Sequence, residues 1–260
     1  MTSILLPGEL ILDDDTPDVA HAIPEGFGTG FMGRGFEGYG DTAADFPPEL
    51  LIPRSEWQAR ITEKEANGTQ LSTLMIAAGL PCKNQQSTNY CWANAPTHCL
   101  EIIRVLQNEP MIILSPASVG GPSTNFRNVG GWGKTALQQI ITDGAVPVDQ
   151  WPANAIDKKY LTEANKTLAL QYRVVDWINC IPRNLDQLIS LLLRGIPVAI
   201  GLNWWGHEVT AYDALWLNGT IAVRFRNSWG MDWGHLGFAT LQGQKMYPDD
   251  AVAPVSALAA

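Results

Sequence analysis

Charge is scarce in this chain, and basic excess scarcer still. Asp, Glu, Lys and Arg make up 17% of the 260 residues, where an ordinary soluble domain has about 25%. The formal net charge is −9, and ten of the 26 acids fall in residues 1–49 against a single base, Arg34. The rest of the chain balances 16 acids with 16 bases. No basic footprint remains for a nucleic acid, so that class of partner is excluded. No stretch approaches the roughly 20 apolar residues of a membrane span. The N-terminus has no basic flank leading into an apolar core, so secretion by a standard signal is not expected. Cysteine is also sparse. Cys82, Cys91, Cys99 and Cys180 contain no C-x-x-C pair and are too few to staple a chain this long. They read as reduced thiols, which suits a cytoplasmic or particle-enclosed setting.

Two familiar motifs are absent on inspection. Residues 128–135 (NVGGWGKT) end like a phosphate loop but carry Asn128 where G-x-x-x-x-G-K-[ST] needs glycine. His207-Glu208 opens like a zinc-protease helix, yet Ala211 stands at the partner position. No metal and no cofactor are expected. Three Asn-x-Thr acceptors, at Asn67, Asn165 and Asn218, read as coincidence without a secretory signal.

What the chain does have is 46% hydrophobic residues, 24 glycines and 10 tryptophans, enough for one large domain or two closely packed lobes. Low charge together with this much tryptophan suggests surface covered by something besides water. The expected division is an acidic arm over 1–49, a folded domain over 50–247 and a tail over 248–260. In the arm, residues 26–40 alternate seven glycines with Phe27, Phe31, Phe36 and Tyr39 and show no period. Such a stretch is entropically expensive to order. It reads as a disordered tail, or as an adhesive arm whose aromatics dock on a neighbouring subunit.

Beyond residue 50 the periodic elements begin. A helix is expected over 91–107, with Trp92, Ala95, Cys99, Ile102, Ile103 and Leu106 on one face, Asn89 as cap and Pro96 as a kink. Further helices are expected over 134–143 and over 185–194, the latter capped by Asn184. Strands follow over 198–203, 207–216, 220–226 and 237–241, with a turn at Asn218-Gly219. Helices first and a strand meander later make the class α+β.

Cys91 opens the first helix, where free amides and the helix dipole favour a thiolate. A lone cysteine there is more often a small buried residue. Its company decides otherwise. Gln85 lies six residues before Cys91-Trp92; Gly130-Gly131-Trp132, His207 and Asn227-Ser228-Trp229-Gly230 follow in that order. In motif, order and spacing, about residues 50–241 resemble the papain-like cysteine peptidases. Residues 52–57, residues 114–118 (LSPAS) and residues 130–152 are similar to lesser features of that family.

The resemblance implies a two-lobe fold, with a helical lobe beside an antiparallel barrel-like lobe and the arm extending from it. It implies that Cys91 attacks a peptide carbonyl while paired with His207, and that Asn227 orients the imidazole. Trp229 would shield that contact, and Gln85 with the Cys91 backbone amide would form the oxyanion hole. Gly130 and Gly131 would pair with the substrate backbone beside Trp132. Glu208 would line the second specificity pocket and favour a basic side chain, unless it pairs with Arg224, Arg226 or another local base. Of the other histidines, His21 lies in the arm, His98 is expected on a helix surface about 10 Å from Cys91, and His235 lies in a turn. Tyr90 replaces a small residue beside the nucleophile and is expected to narrow the cleft. Thr88 stands where relatives have a cysteine, which removes one disulfide. The arm lacks the amphipathic helices of the family's inhibitory pro-segments, so zymogen control is not expected and the arm reads as an attachment device. The expected partners are therefore a peptide or protein substrate and, through the arm, neighbours in a larger assembly. A second reading makes the protein a structural component of such an assembly, for example a virion, that uses this fold as a building block.

Overall fold

The computed structural model describes residues 2–18, 23–33 and 44–259. Its strands are β1 (Leu10–Leu12), β2 (Ala44–Asp45), β3 (Val174–Asn179), β4 (Val198–Leu202), β5 (His207–Leu217), β6 (Thr220–Arg226), β7 (Phe238–Leu241) and β8 (Asp250–Ala257). They form one sheet in the order β1-β7-β6-β5-β4-β8-β3-β2. Only the two outermost pairings, β1 with β7 and β2 with β3, are parallel. The helices are α1 (Arg54–Ala66), α2 (Leu71–Ala77), α3 (Cys91–Leu106), α4 (Pro116–Ser123), α5 (Gly133–Thr142), α6 (Glu163–Ala169) and α7 (Leu185–Leu193).

The strongly periodic segments fold where their period puts them. Helices α3, α5 and α7 start and stop within one residue of expectation, and Asn184 caps α7 by accepting from the Gln187 amide. Asn218 and Gly219 take positive φ, +49° and +82°, the two-residue turn whose twist suits a hairpin. Asn89, however, does not cap α3. The cap position is Tyr90, without a side-chain bond, and the Asn89 amide instead donates to Asn128 Oδ1 at 2.7 Å. Helix α3 runs through Pro96 to Leu106. Its first turns are also tied by Asn94 Nδ2 donating to Tyr90 O and Thr97 Oγ1 donating to Ala93 O. Helix α1 could not be seen in advance, because only Trp57 and Ile61 of its thirteen residues are buried and two contacts make no apolar stripe.

The expected tail is a correction. Residues 250–257 form β8, which pairs with both β4 and β3 in the body of the sheet, with Ala251, Val252 and Ala253 buried. A small-residue run has little pattern of its own, and its partners are distant in sequence. Two cores result. One lies among β4, β5, β6, β7, α1 and α7; the other lies where α3 and α5 pack on β3, β4 and β8. The start of α3 and the start of β5 face each other along the join.

The arm is a second correction. Its described stretches, residues 2–18 and 23–33, fold back on their own domain, and the two aromatics among them pack there. Phe31 is buried and Phe27 packs beside Trp229, with ring centroids 5.8 Å apart. Phe36 and Tyr39, also expected to dock, lie outside the described residues, as does His21.

Candidate active site

Each candidate residue is held by a different element. Cys91 is the first residue of α3, His207 the first of β5, and Asn227 follows β6 directly. Gln85 is tied to the Asn227 loop by its own amide, which donates to Ser228 O at 2.8 Å. Asn227 Oδ1 accepts from His207 Nε2 at 2.7 Å and from the Ser228 amide at 2.7 Å. The second bond fixes that atom as an oxygen, so His207 Nε2 must carry the proton. His207 Nδ1 is then the lone-pair nitrogen, and no protein group fills it. Trp229 lies nearly parallel to the imidazole, with centroids 4.7 Å apart, and Trp205 meets it edge-on at 4.9 Å. Trp233 in turn packs on both tryptophans. This aromatic cage keeps water from the His207–Asn227 bond.

The Gln85 carboxamide is oriented from behind. Its Oε1 accepts from Ser228 Oγ at 2.5 Å, which turns Nε2 forward into the cleft. There Nε2 donates to Thr88 O at 2.7 Å and to Gly28 O at 3.0 Å. A donor aimed in this way is what a developing oxyanion needs.

Burial sets the charge state of the pair. Cys91 is 0% exposed; burial pushes its thiol up, and the nearby Glu208 carboxylate adds to the rise, against smaller opposing contributions from the Glu208, Trp92 and Phe31 amides. Burial lowers His207 to about 4, partly offset by the Asn227 bond. Burial thus favours the neutral form of each group, the Cys91 thiol and the His207 imidazole.

The segment that closes it belongs to the arm. The Gly28 amide donates to Gln86 O at 2.8 Å, and the amides of Gly30 and Phe31 donate to Gly206 O at 3.3 and 3.0 Å. Gly131 N donates to Gly30 O at 2.9 Å and Met32 N donates to Gly131 O at 3.1 Å, a parallel bridge between Phe31 and Gly131. Trp229 Nε1 joins Gln85 on Gly28 O, and Trp132 Nε1 donates to Met32 O. Glycine is required here. A Cβ on Gly28 would stand 2.2 Å from Thr88 O, and one on Gly30, where φ is +122°, 2.2 Å from Asn89 O. The glycine-aromatic alternation is thus a cleft-binding pattern: glycines let the backbone lie on the floor and Phe31 anchors it. Sequence reasoning set an inhibitory segment aside because the arm has no amphipathic helices; the cleft is nevertheless filled by an extended segment that needs none.

The groove residues are arranged around that segment. Gly131 has no room for a Cβ, which would meet the Trp92 ring at 2.6 Å, and one on Gly130 would stand 2.4 Å from Gly30 O. The Phe31 ring lies against Gly201, where a Cβ would be 2.3 Å away. Gly201 is the register partner of Glu208, so Phe31 lies on the face that carries the Glu208 side chain. Glu208 itself is 1% exposed, with one carboxylate oxygen 2.0 Å from where a Gly133 Cβ would be, at the start of α5. Tyr90 does not narrow the cleft. It turns into the helical lobe against Gly120, and its hydroxyl bonds to Thr124 Oγ1 and donates to Arg127 O. His98 is not on a surface; it is 2% exposed. Sequence reasoning missed Trp205, the hydrogen bond from Ser228 that orients Gln85, and the extended segment over 27–32. The alternation of glycine and phenylalanine was the only signal for the last.

Comparison with known proteins gives likenesses along the chain. No protein-family model matches the chain. Oryzain beta chain from Oryza sativa is 27% identical over 186 residues, covering 62% of this chain and 39% of that protein. Cathepsin L 2 from Paramecium tetraurelia is 27% identical over 177 residues, covering 62% and 55%. The chain therefore spans 39% and 55% of these two relatives' own length. Among solved structures, xylellain, a cysteine protease from Xylella fastidiosa, superposes with a TM-score of 0.66 at 14% identity, over 90% of this chain and 99% of that one. Procathepsin L 3 of Tenebrio molitor gives 0.59 at 18% identity, over 67% and 66%. The two sequence relatives bear the names of an oryzain and a cathepsin, and the two solved structures, both under 25% identical, show the fold. With its mostly antiparallel sheet, its helical lobe and the cleft between them, the chain has the papain-like fold.

Proposed function

We propose that the protein is a cysteine peptidase in which Cys91, His207, Asn227 and Gln85 act on a peptide bond and residues 27–32 hold the cleft shut. The observation that carries this reading is the oriented imidazole: Nε2 is committed to Asn227 and Nδ1 is left with a lone pair. Once the segment leaves and water enters, the desolvation that favours both neutral forms is relieved, and the α3 dipole favours the thiolate. The thiol proton passes to His207 Nδ1, and sulfur bonds to the carbonyl carbon. Gln85 Nε2 and the Cys91 amide receive the oxyanion. The carbon–nitrogen bond breaks as His207 protonates the leaving amine; a water, deprotonated by His207, then releases the acid and frees the thiol. Phe31, seated against Gly201 beside Glu208, marks the pocket for a substrate side chain, and Glu208 would bring a preference for a basic group there.

Valine at both Gly28 and Gly30 forces the segment out, because neither Cβ has room. An epoxysuccinyl probe should then label this variant once, at Cys91, and the label should vanish with Cys91→Ala or His207→Ala. The variant should also hydrolyse fluorogenic peptides. A folded, open variant that neither labels nor hydrolyses would overturn the reading.

A further inference from the structure

The arm is held at two places by unlike means. Residues 2–18 are anchored by side chains and by a strand. Glu9, with its side chain 0% exposed, takes Arg224 of β6 in a two-point pair at 2.9 and 3.0 Å and accepts from Thr240 Oγ1 and the Leu6 amide. Arg224 also donates to Ile4 O. Ser3 exchanges two bonds with Trp216, each 2.7 Å. Leu5 packs on Leu215, Leu217 and Ala222, Leu12 enters the main core, and β1 extends the sheet beyond β7. Further on, Asp14 accepts from the Gln244 amide and Lys245 pairs with Asp18. Residues 27–32 make no ion pair; they are held chiefly by backbone bonds and the Phe27 and Phe31 rings.

The energetic consequence differs. Withdrawing Glu9 would leave Arg224 buried, with only Asp213 Oδ2 at 3.8 Å as a countercharge, and removing one partner of a buried pair is strongly destabilising. The backbone bonds of 27–32 can be exchanged for bonds to water or to another extended peptide. That segment also lies between two attached stretches, so it re-enters at high effective concentration.

We propose that residues 2–18 are a lasting part of the catalytic domain, and that residues 27–32 are a strap that leaves and re-enters the cleft without removal of the arm. The inference rests on the peptidase reading for its consequence, that opening exposes a working thiol. A single cut after the strap leaves it tethered through the first 18 residues. It yields a two-chain protein that is still closed, and opening requires competition for the strap's backbone bonds.

The test uses the full chain with a site-specific protease sequence inserted after Gly38. Cut and uncut proteins are compared by size exclusion with intact mass and by iodoacetamide alkylation mapped to Cys91, which needs no catalysis. In the wild-type background, cutting should leave the N-terminal fragment bound and change the Cys91 rate by no more than about 2-fold, while Gly28→Val with Gly30→Val should raise it by ~100-fold, cut or uncut. The fragment should still co-elute from the cut valine variant and should be lost when Glu9→Ala is added; Leu5→Asp serves if that variant does not fold. Loss of the fragment with residues 2–18 intact, or full exposure of Cys91 by the cut alone, would overturn the inference. If alkylation opens as expected but peptides are not hydrolysed, the peptidase reading fails and the strap stands.

Discussion

His207 and His98 are equally sealed from solvent, and burial brings both imidazoles down to about 4, yet the molecule uses them in opposite ways. His98 has both ring nitrogens engaged, Nδ1 with Glu101 Oε2 at 3.0 Å and Nε2 with the Tyr212 hydroxyl at 2.6 Å. Glu101 in turn holds Lys83 at 2.5 Å and the Leu114 amide at 2.6 Å. This is a closed polar network, every member of which stabilises another. His207 has one nitrogen engaged and one empty. A buried, acid-shifted histidine is thus not a catalytic signature in itself. On the peptidase reading proposed above, what marks His207 is the unfilled nitrogen, held in place by an oriented one.

That contrast can be broken by substitution. His207→Ala in the strap-expelled protein should lower kcat/KM by ~10⁴-fold, and His207→Gln, which keeps the cage filled, should lower it as far with a much smaller change in melting temperature than His207→Ala; activity retained in His207→Gln would make His207 a second structural histidine. Gln85→Ala should cost ~10²–10³ in kcat, the usual effect of losing one oxyanion donor, and Ser228→Ala should reproduce part of that loss by freeing the carboxamide to turn. His98→Ala should do the reverse of His207→Gln. It leaves Glu101 Oε2 and the Tyr212 hydroxyl each short of one buried partner and should destabilise by about 3 kcal/mol in urea unfolding, with Cys91 labelling of the folded fraction intact.

Acid should act on both sites together. Each imidazole has a folded value of about 4, below the 6.5 of the free side chain, so the fold favours the neutral form. The stabilisation is complete above about pH 6.5 and is lost as pH falls toward 4, which a melting series across that window would show. His98→Gln should flatten part of this slope, and His207→Gln another part. Smallest of all, Tyr212→Phe should cost about 1 kcal/mol, because His98 keeps its bond to Glu101.

How much could be read in advance follows from the range of the signals. Cys91, His207, Asn227 and Gln85 stood out because each sits in a short motif whose order survives in the linear chain. Helices α3, α5 and α7 stood out because their apolar periods are local. His98 was misread because its face of α3 is polar, and polar faces usually meet water; here Tyr212 of β5 and Lys83 cover it. The β8 strand and the staple over residues 2–18 were invisible for a related reason. Their partners, Val252 with Ala199 and Glu9 with Arg224, are separated by tens to hundreds of residues, and neither segment has a pattern apart from those partners.

By itself the sequence determined the chemical types at the site, the helix that presents the thiol, the class of the fold and the glycines that let a backbone lie flat. Tertiary structure decided which of two buried histidines keeps an empty nitrogen, and that residues 27–32 of the arm cover Cys91 instead of leaving the domain. The physical reason is that these outcomes depend on which groups satisfy one another across the fold, and a hydrogen bond between residues 28 and 85 or 9 and 224 leaves no mark on the local pattern of either.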